Sequence, residues 1–324
     1  MTRMRYLQAM SKAVRDEMQR DPSLFIIGED IQESLRGVTA GLVKEFGTDR
    51  VIDAPISEQA FTGFATGAGL AGQRAIVEYQ IPSLLYVAFE QIVNQAQKMS
   101  LMTGGQVNVP VTYIAPGSGA RLGLAGQHSD HPYPLFVHMG VKTVLPSTAY
   151  DAYGLLVSAI RDDDPVLFFG PAAALAKRDD VPDEPFTVEL GKGRIHRTGT
   201  DVTVVAVGHL VYDALALADT LAQEMSIEVY DPRTLHPFDW ELLASSLART
   251  RRLVVYDDSN RSCGLAAEIL ATASEEMTLD APPRRVTRAD VPISFSVDLE
   301  RRALPSIQRL EAAVRGVMKD RSRD

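Results

Sequence analysis

Apolar and polar positions along this chain alternate in blocks that favour a parallel sheet covered by helices. Short runs of continuous apolar character, typical of strands buried on both faces, are separated by stretches with apolar residues at helical spacing. The strands predicted in the first half span residues 24–27, 51–53, 75–79, 109–115, 143–145 and 166–169. The helices predicted in the gaps span residues 6–20, 59–71, 84–102 and 149–161. This order of elements predicts a doubly wound α/β domain.

A second unit with the same rhythm follows in the sequence. The turn-rich, charged run at residues 170–199 interrupts the alternation and is typical of a connection between domains. Beyond it, strands are predicted at residues 202–207, 227–230, 253–256 and 285–287, and helices at 212–224, 240–248, 265–275 and 306–318. We therefore predict an α/β chain of two doubly wound domains, at residues 1–185 and 201–324, joined by a linker at residues 186–200.

The composition is that of a globular protein and argues against several classes of partner. Of the 324 residues, 45% are apolar and 23% are charged, and the formal net charge of -9, without a lysine-arginine stripe, argues against a nucleic-acid partner. No window approaches the ~18 apolar residues of a membrane span, and residues 1–7 lack the apolar core of a signal peptide. The single cysteine, Cys263, excludes an internal disulfide and is predicted to be a small core residue. We expect a soluble, cytoplasmic protein.

One carboxylate stands at the junction of a predicted strand and a predicted helix. The string Ala-Pro-Ile-Ser-Glu at residues 54–58 follows the strand at 51–53 and opens a helix that contains several glycines. A carboxylate at such an apolar junction loses water, which favours sharing a proton with a nitrogen base over remaining a bare anion. The alternative is that Ser57 caps the helix and Glu58 is a first-turn acid that complements the helix dipole.

Two glycine-rich patterns have different interpretations. Residues 67–72 satisfy the G-x-G-x-x-G pattern but fall inside or at the end of a predicted helix, so they do not predict a phosphate-binding loop. Gly63 and Gly67 are better explained as a smooth helix face that permits close packing of another helix, including one across a subunit interface. Residues 117–126 are predicted to form a mobile loop that delivers His128, with an ordinary surface loop as the alternative.

Eight short strings carry a resemblance to one family. They are Arg-Val-Ile-Asp-Ala-Pro-Ile-Ser-Glu (50–58), Gln-Ile-Val-Asn-Gln-Ala-Gln-Lys (91–98), Gly-Gly-Gln (104–106), Gln-His-Ser (127–129), Leu-Pro-Ser-Thr-Ala-Tyr-Asp-Ala (145–152), Ala-Ile-Arg-Asp-Asp-Asp-Pro (159–165), Asp-Pro-Arg-Thr-Leu (231–235) and Asp-Val-Pro-Ile-Ser-Phe (290–295). In order and spacing they resemble the beta subunit of the thiamine-diphosphate-dependent 2-oxo acid dehydrogenases, and the resemblance covers nearly the whole chain.

The resemblance implies a thiamine-diphosphate-binding pyrimidine domain followed by a transketolase C-terminal-like domain. It implies that Glu58 hydrogen-bonds the ring nitrogen of the cofactor's aminopyrimidine and that His128 exchanges protons on the substrate side. Further cofactor contacts are implied for Glu29, Ile56, Gln80 and Leu84. Leu84 departs from the family, which has an aromatic residue there, and His131 is a candidate for a second polar contact specific to this protein.

The resemblance also implies that another chain holds the cofactor's diphosphate. The family binds Mg²⁺ through a Gly-Asp-Gly string on a different domain, and no Gly-Asp pair occurs in this sequence. The implied partners are an alpha subunit, in an alpha2-beta2 heterotetramer, and a lipoyl-bearing acyltransferase. The three aspartates before Pro165 are expected in a solvated turn, which by resemblance lends carbonyl oxygens to a potassium ion. The carbonyls concerned are those of Ala159, Asp162 and Asp164.

The implied function is decarboxylation of a 2-oxo acid, with the alpha subunit, and transfer of the acyl group to lipoamide. Pyruvate, a branched-chain 2-oxo acid and acetoin are the candidate substrates. The alternative is a split transketolase-like or acyloin-forming thiamine-diphosphate transferase subunit, and a scaffold protein would have no chemical need for Glu58 and His128. The strings at residues 231–235 and 304–307 favour the dehydrogenase. In the family, charged side chains usually follow the strand predicted at residues 166–169. Residues 169–174 of this chain depart from that pattern from Gly170 onward, so the resemblance does not decide the substrate.

Overall fold

The computed structural model describes residues 1–120 and 123–320, which form two compact units. Within this range, the first unit comprises residues 1–120 and 127–190, and the second comprises residues 123–126 and 191–320. Each unit contains a predominantly parallel sheet flanked by helices. The predicted α/β fold class is confirmed.

The first unit contains eight strands and seven α-helices within the described residues. The strands are β1 (Thr2–Arg5), β2 (Phe25–Gly28), β3 (Val51–Asp53), β4 (Ala75–Glu78), β5 (Val111–Ser118), β6 (Lys142–Val144), β7 (Val166–Pro171) and β8 (Arg178–Val181). The helices are α1 (Tyr6–Arg20), α2 (Leu42–Phe46), α3 (Glu58–Leu70), α4 (Leu85–Glu90), α5 (Met99–Met102), α6 (Tyr133–His138) and α7 (Ala149–Arg161). Short 3-10 turns lie at Pro82–Leu84, Gly126–His128 and Ala172–Ala174, and a π-helix lies at Gln91–Gln97.

The parallel strands of the first unit bring their carboxyl ends to one edge of the sheet. Strands β6, β7, β5, β4, β2 and β3 lie side by side in that order, and each neighbouring pair is parallel. Gly28 at the end of β2 pairs with Asp53 and with Glu78, the last residues of β3 and β4. The loops that follow these strands therefore start at the same level of the sheet.

Helices pack on both faces of this sheet. Ile76 of β4 joins the core formed by α1 and α7 on one face. Tyr79, just past the end of β4, packs against Phe61 of α3 on the other face, with ring centroids 5.8 Å apart. Because successive strand side chains point to opposite faces, the continuous apolar runs of the sequence are buried on both sides.

The second unit repeats this architecture on a smaller scale. Its strands are β9 (Arg194–Arg197), β10 (Val202–Ala206), β11 (Ile227–Asp231), β12 (Thr234–His236), β13 (Leu253–Asn260) and β14 (Arg284–Arg288). Its helices are α8 (Leu210–Thr220), α9 (Trp240–Thr250), α10 (Leu265–Glu276), α11 (Val297–Ala303) and α12 (Ile307–Lys319). The sheet order is β14, β13, β10, β11 and β9, with β9 antiparallel to β11 and the other pairs parallel.

Several local features differ from the sequence predictions. The helix predicted at residues 84–102 is divided into α4, the π-helix and α5, and the predicted connection at residues 170–199 contains the end of β7 and strands β8 and β9. Strands β1 and β8 form an antiparallel pair that was not predicted, because both are polar and largely exposed. Cys263 is exposed at a positive φ of 55°, so the prediction of a core cysteine was wrong.

Candidate functional site

The predicted cofactor residues lie in loops after four parallel strands of the first unit. Glu29 follows β2, Ile56 and Glu58 follow β3, Gln80 follows β4, and His128 comes after β5. The carboxyl edge of an open parallel sheet is where such folds bind ligands, because the loops there converge on one crevice. The sequence thus places five candidate side chains along one edge.

Glu58 is the first residue of α3 and is buried, with 7% of its surface exposed. Its neighbour Ser57 does not cap the helix through its side chain, because the Ser57 hydroxyl donates a hydrogen bond of 2.9 Å back to the carbonyl of Pro55. The alternative in which Ser57 serves as a side-chain N-cap is therefore wrong in this structure. A first-turn acid complements the helix dipole whatever else it does, but burial of Glu58 sets it apart from an ordinary solvated one.

Glu29 and Glu58 form a carboxyl pair. The pKa of Glu29 is raised, first by its burial and then by the nearby charges of Glu58 and Asp30. A hydrogen bond between the Glu29 and Glu58 side chains raises the pKa further, while the backbone N–H of Ser57, which donates to Glu29, lowers it. Neighbouring carboxyl groups resist carrying two negative charges, so these surroundings favour the neutral form of Glu29.

Gln80 adds further polar atoms next to Glu29. Its Nε2 donates a hydrogen bond of 2.5 Å to the backbone carbonyl of Glu29, which fixes the amide beside the carboxyl pair. The Oε1 atoms of Glu29 and Gln80 are both buried and make no hydrogen bond to any described residue. Because buried polar atoms are normally paired, these two unpaired acceptors suit a ligand that presents N–H or O–H donors.

Two apolar side chains were predicted to contact the cofactor ring at this edge. Ile56 has 85% of its surface exposed, unusually high for a large aliphatic residue, and Leu84 is partly exposed at the end of a 3-10 turn. An exposed isoleucine beside unpaired buried acceptors suits a flat heterocycle with polar edges, such as an aminopyrimidine. The residues of this chain therefore fit that half of the cofactor.

His128 ends the 3-10 turn Gly126–His128 and is partly exposed. Strand β5 continues further than predicted, to Ser118, through an irregular pairing beside Gly117, whose φ is 81°. Arg121 and Leu122 of the predicted mobile loop lie outside the described residues. His131 is buried, and its ring centroid lies 5.2 Å from that of Tyr133. Its role as a second polar contact stays a prediction.

The turn predicted to bind potassium is held by donors from this chain. The carbonyl of Ala159 accepts a hydrogen bond of 3.1 Å from the Thr112 hydroxyl, and the carbonyl of Asp162 accepts one of 2.6 Å from the Arg74 guanidinium. Lys142 Nζ lies 2.9 Å from carboxylate oxygens of both Asp162 and Asp164. A cation at these carbonyls would have to share the Asp162 oxygen with Arg74 and the Ala159 oxygen with Thr112.

One buried titratable residue near the site escaped the sequence analysis. Glu78, the last residue of β4, is 1% exposed, and burial raises its pKa to about 8, against the opposing charge of Arg36. The signal in the sequence was a glutamate inside an otherwise apolar strand. On the opposite face, the Tyr79 hydroxyl lies 2.6 Å from that of Thr62, and burial raises the pKa of Tyr79.

No helix within residues 1–120 and 123–320 combines the length and the apolar character needed to cross a membrane.

Comparison with known proteins gives matches over nearly the whole chain. Residues 2–177 match the transketolase pyrimidine binding domain, and residues 191–310 match the transketolase C-terminal domain. The chain is 38% identical to the acetoin:2,6-dichlorophenolindophenol oxidoreductase subunit beta of Bacillus subtilis, with 93% of each chain covered. It is 37% identical to the mitochondrial pyruvate dehydrogenase E1 component subunit beta-2 of Oryza sativa subsp. japonica, covering 95% of this chain and 84% of the relative.

A pyruvate dehydrogenase E1 component subunit beta of Bacillus subtilis is 36% identical, with 91% of this chain and 93% of the relative covered. Among solved structures, a split gene transketolase in an inactive beta4 tetramer shares the fold, with a TM-score of 0.79, 22% identity and 97% of each chain covered.

Proposed function

Because this chain belongs to the family of beta subunits of the thiamine-diphosphate-dependent 2-oxo acid dehydrogenases, we propose that it forms the pyrimidine side of such an enzyme's active site. With an alpha subunit, the enzyme decarboxylates a 2-oxo acid and transfers the acyl group to lipoamide. The observation that carries the proposal is the Glu29–Glu58 carboxyl pair, in which Glu58 is buried and Glu29 partly buried, with unpaired acceptor atoms on Glu29 and Gln80.

Glu58 supplies the proton-sharing group of the site. Its buried carboxyl group would share a proton with the ring nitrogen of the aminopyrimidine when thiamine diphosphate is bound. Glu29 and Gln80 would accept hydrogen bonds from the ring substituents, and Ile56 and Leu84 would support its apolar face. Thiamine diphosphate, when bound, supplies the electron sink that decarboxylation requires.

His128 acts on the substrate side of the site. An imidazole carries both a donor and an acceptor nitrogen, so it can give up a proton and take one back within one catalytic cycle. We assign it the exchange of protons with the reacting 2-oxo acid and with the arriving acyl acceptor. Its partly exposed position after a glycine-rich loop is consistent with access for a large partner.

The diphosphate and Mg²⁺ are assigned to the alpha subunit. This chain has no Gly-Asp pair, and Mg²⁺ prefers hard oxygen ligands together with phosphate oxygens. Large apolar side chains are exposed on three helices of the first unit, as expected of a surface that another chain covers. They are Phe64 on α3, Tyr86 and Val87 on α4, and Leu101 and Met102 on α5. An alpha2-beta2 heterotetramer, as in the resemblance, buries such a surface.

The substrate and the acceptor belong to the same proposal. Pyruvate and a branched-chain 2-oxo acid are the candidates for decarboxylation. Acetoin, the third candidate, has no carboxyl group and would instead be cleaved to acetaldehyde and an acetyl group. A lipoyl-bearing acyltransferase is the proposed acceptor of the acyl group in each case. Gly170 has no side chain to offer the reaction. The position is also tightly packed, since a Cβ there would lie 3.2 Å from the sulfur of Met10 and 3.4 Å from the backbone of Pro116. Potassium at residues 159–164 and a cytoplasmic location stay predictions.

The deciding experiment measures release of CO₂ from each 2-oxo acid, and of acetaldehyde from acetoin, by this chain co-purified with its alpha subunit, with thiamine diphosphate and Mg²⁺. Decarboxylation coupled to acylation of lipoamide is the expected result, and the Glu58→Gln complex serves as the inactive control. Turnover of ketose phosphates, or carboligation without acylation of lipoamide, would instead establish the split transketolase-like or acyloin-forming alternative.

A further inference from the structure

The segment that carries His128 includes several positions with left-handed backbone conformations. Between β5 and α6, positive φ angles occur at Gly119 (89°), Gly123 (86°) and Ala125 (63°). Glycine gains the most conformational freedom on unfolding, so a segment of this composition is ordered only if other contacts anchor it. The position of His128 therefore depends on what its neighbours bind.

Two side chains anchor residues on either side of His128. The Ser83 hydroxyl donates a hydrogen bond to the backbone carbonyl of Gln127. The Tyr86 hydroxyl donates one of 3.0 Å to Oδ2 of Asp130. The backbone carbonyl of Asp130 is itself held by the N–H of Gly119, at 3.0 Å. His128 thus sits between two anchored residues.

Both anchors come from the stretch of chain that carries Leu84. Ser83 lies in the 3-10 turn Pro82–Leu84 and Tyr86 in α4, which follows it directly. Residues three apart in a helical segment face the same side, so the two hydroxyls point toward the same neighbour. The residue proposed to contact the cofactor ring and the hydroxyls that hold the His128 segment therefore lie on one continuous helical stretch.

We propose that Tyr86, through Asp130, is a positioning residue for His128, and that Ser83 assists it. The inference rests on the proposed function, since it gives His128 a reaction to be positioned for. Tyr86 is 46% exposed, and its hydroxyl, not its ring, makes the contact with Asp130. Tyr86→Phe removes that hydroxyl alone and keeps the ring.

The first test requires no turnover. In the full chain, Tyr86→Phe and Asp130→Ala should each speed hydrogen exchange of the backbone amides at residues 126–131 by about two- to tenfold, the effect of one lost hydrogen bond. Asp130→Asn keeps an acceptor oxygen for the phenol and should exchange nearly as the parent does. The matched control is Tyr150→Phe, which removes a tyrosine hydroxyl elsewhere, from a ring that packs on Phe186. Unchanged exchange in Tyr86→Phe overturns the proposal.

The second test separates positioning from general stability. In the complex with the alpha subunit, Tyr86→Phe should lower kcat about fivefold without changing the affinity for thiamine diphosphate. The same substitution in a His128→Ala background should cost nothing further, because the group it positions is gone. An equal loss of kcat in both backgrounds would show that Tyr86 does not act through His128. If the parent complex decarboxylates no 2-oxo acid, the proposed function fails, and the exchange measurement alone decides whether Tyr86 anchors the segment.

Discussion

Replacing Glu78 by glutamine should change how the stability of the protein depends on pH. Glu78 is buried at the end of β4, and burial raises its pKa to about 8, while the Arg36 charge acts in the opposite direction. Its Oε2 atom makes no hydrogen bond to any described residue. The folded protein therefore binds this proton more tightly than the unfolded chain, in which the ordinary pKa is 4.5.

The sign and the size follow from those two values. Between the unfolded pKa of 4.5 and the folded pKa of about 8, the folded state keeps a proton that the unfolded state has released. The contribution of Glu78 to the free energy of unfolding is therefore fully present below the unfolded pKa and is lost as pH rises through this window. At about 1.4 kcal/mol per pKa unit, the loss is about 3 kcal/mol at pH 7. Glutamine does not ionise, so the advantage of Glu78→Gln over the parent should grow by about 3 kcal/mol between about pH 5 and pH 8.

The assay is urea unfolding followed by circular dichroism at several pH values and a fixed protein concentration. The matched control is Glu33→Gln, which removes a carboxylate from an exposed position of the loop that carries Arg36. That variant should stay within about 0.5 kcal/mol of the parent throughout. A difference between Glu78→Gln and the parent that is flat, or that shrinks as pH rises, would refute the assignment of a buried neutral carboxyl.

Three further predictions concern the candidate site. Glu58→Gln should lower kcat of the complex about 10²- to 10⁴-fold while the subunits still assemble. The control Gln59→Ala, at the exposed next position, should leave kcat unchanged. Steady-state kinetics measures the loss of kcat, and size-exclusion chromatography shows whether the subunits assemble. Leu84→Phe should tighten thiamine diphosphate about two- to tenfold by restoring an aromatic contact, and calorimetry showing weaker binding would contradict this placement. Gly28→Ala should destabilise the chain by about 2 kcal/mol or more in thermal unfolding, because a Cβ there would lie 2.5 Å from the carbonyl oxygen of Glu78; full stability would mean that the strands are not that close.

The sequence was most informative where one physical requirement dominates. Strands β2, β3 and β4 were predicted to within two residues at each end, because strands buried on both faces need continuous apolar runs. Helices α1 and α7 were predicted with their observed bounds, since each has an apolar stripe of helical period. The β1–β8 pair had no such requirement, because its polar strands pair at the surface.

The site shows the same division. Glu58 could be found from its place between an apolar strand and a helix, and its burial could be inferred from the same pattern. The contact with Glu29 could not be inferred from local sequence, because it depends on the register of β2 against β3, which brings Gly28 opposite Asp53. The Tyr86–Asp130 hydrogen bond joins residues 44 positions apart. Such contacts follow from the packed fold, not from periodicity.

The arrangement of the site along one sheet edge bears on how this protein could evolve. The proposed functions divide between loops: the segments after β2, β3 and β4 carry the proton-sharing and ring-contact residues, and the segment after β5 carries the substrate chemistry. Loops accept substitutions that a packed strand does not. New substrate preferences could therefore arise by variation at residues 123–131 while the cofactor loops stay unchanged. A library of variants confined to those nine positions would be small enough to select for such preferences directly.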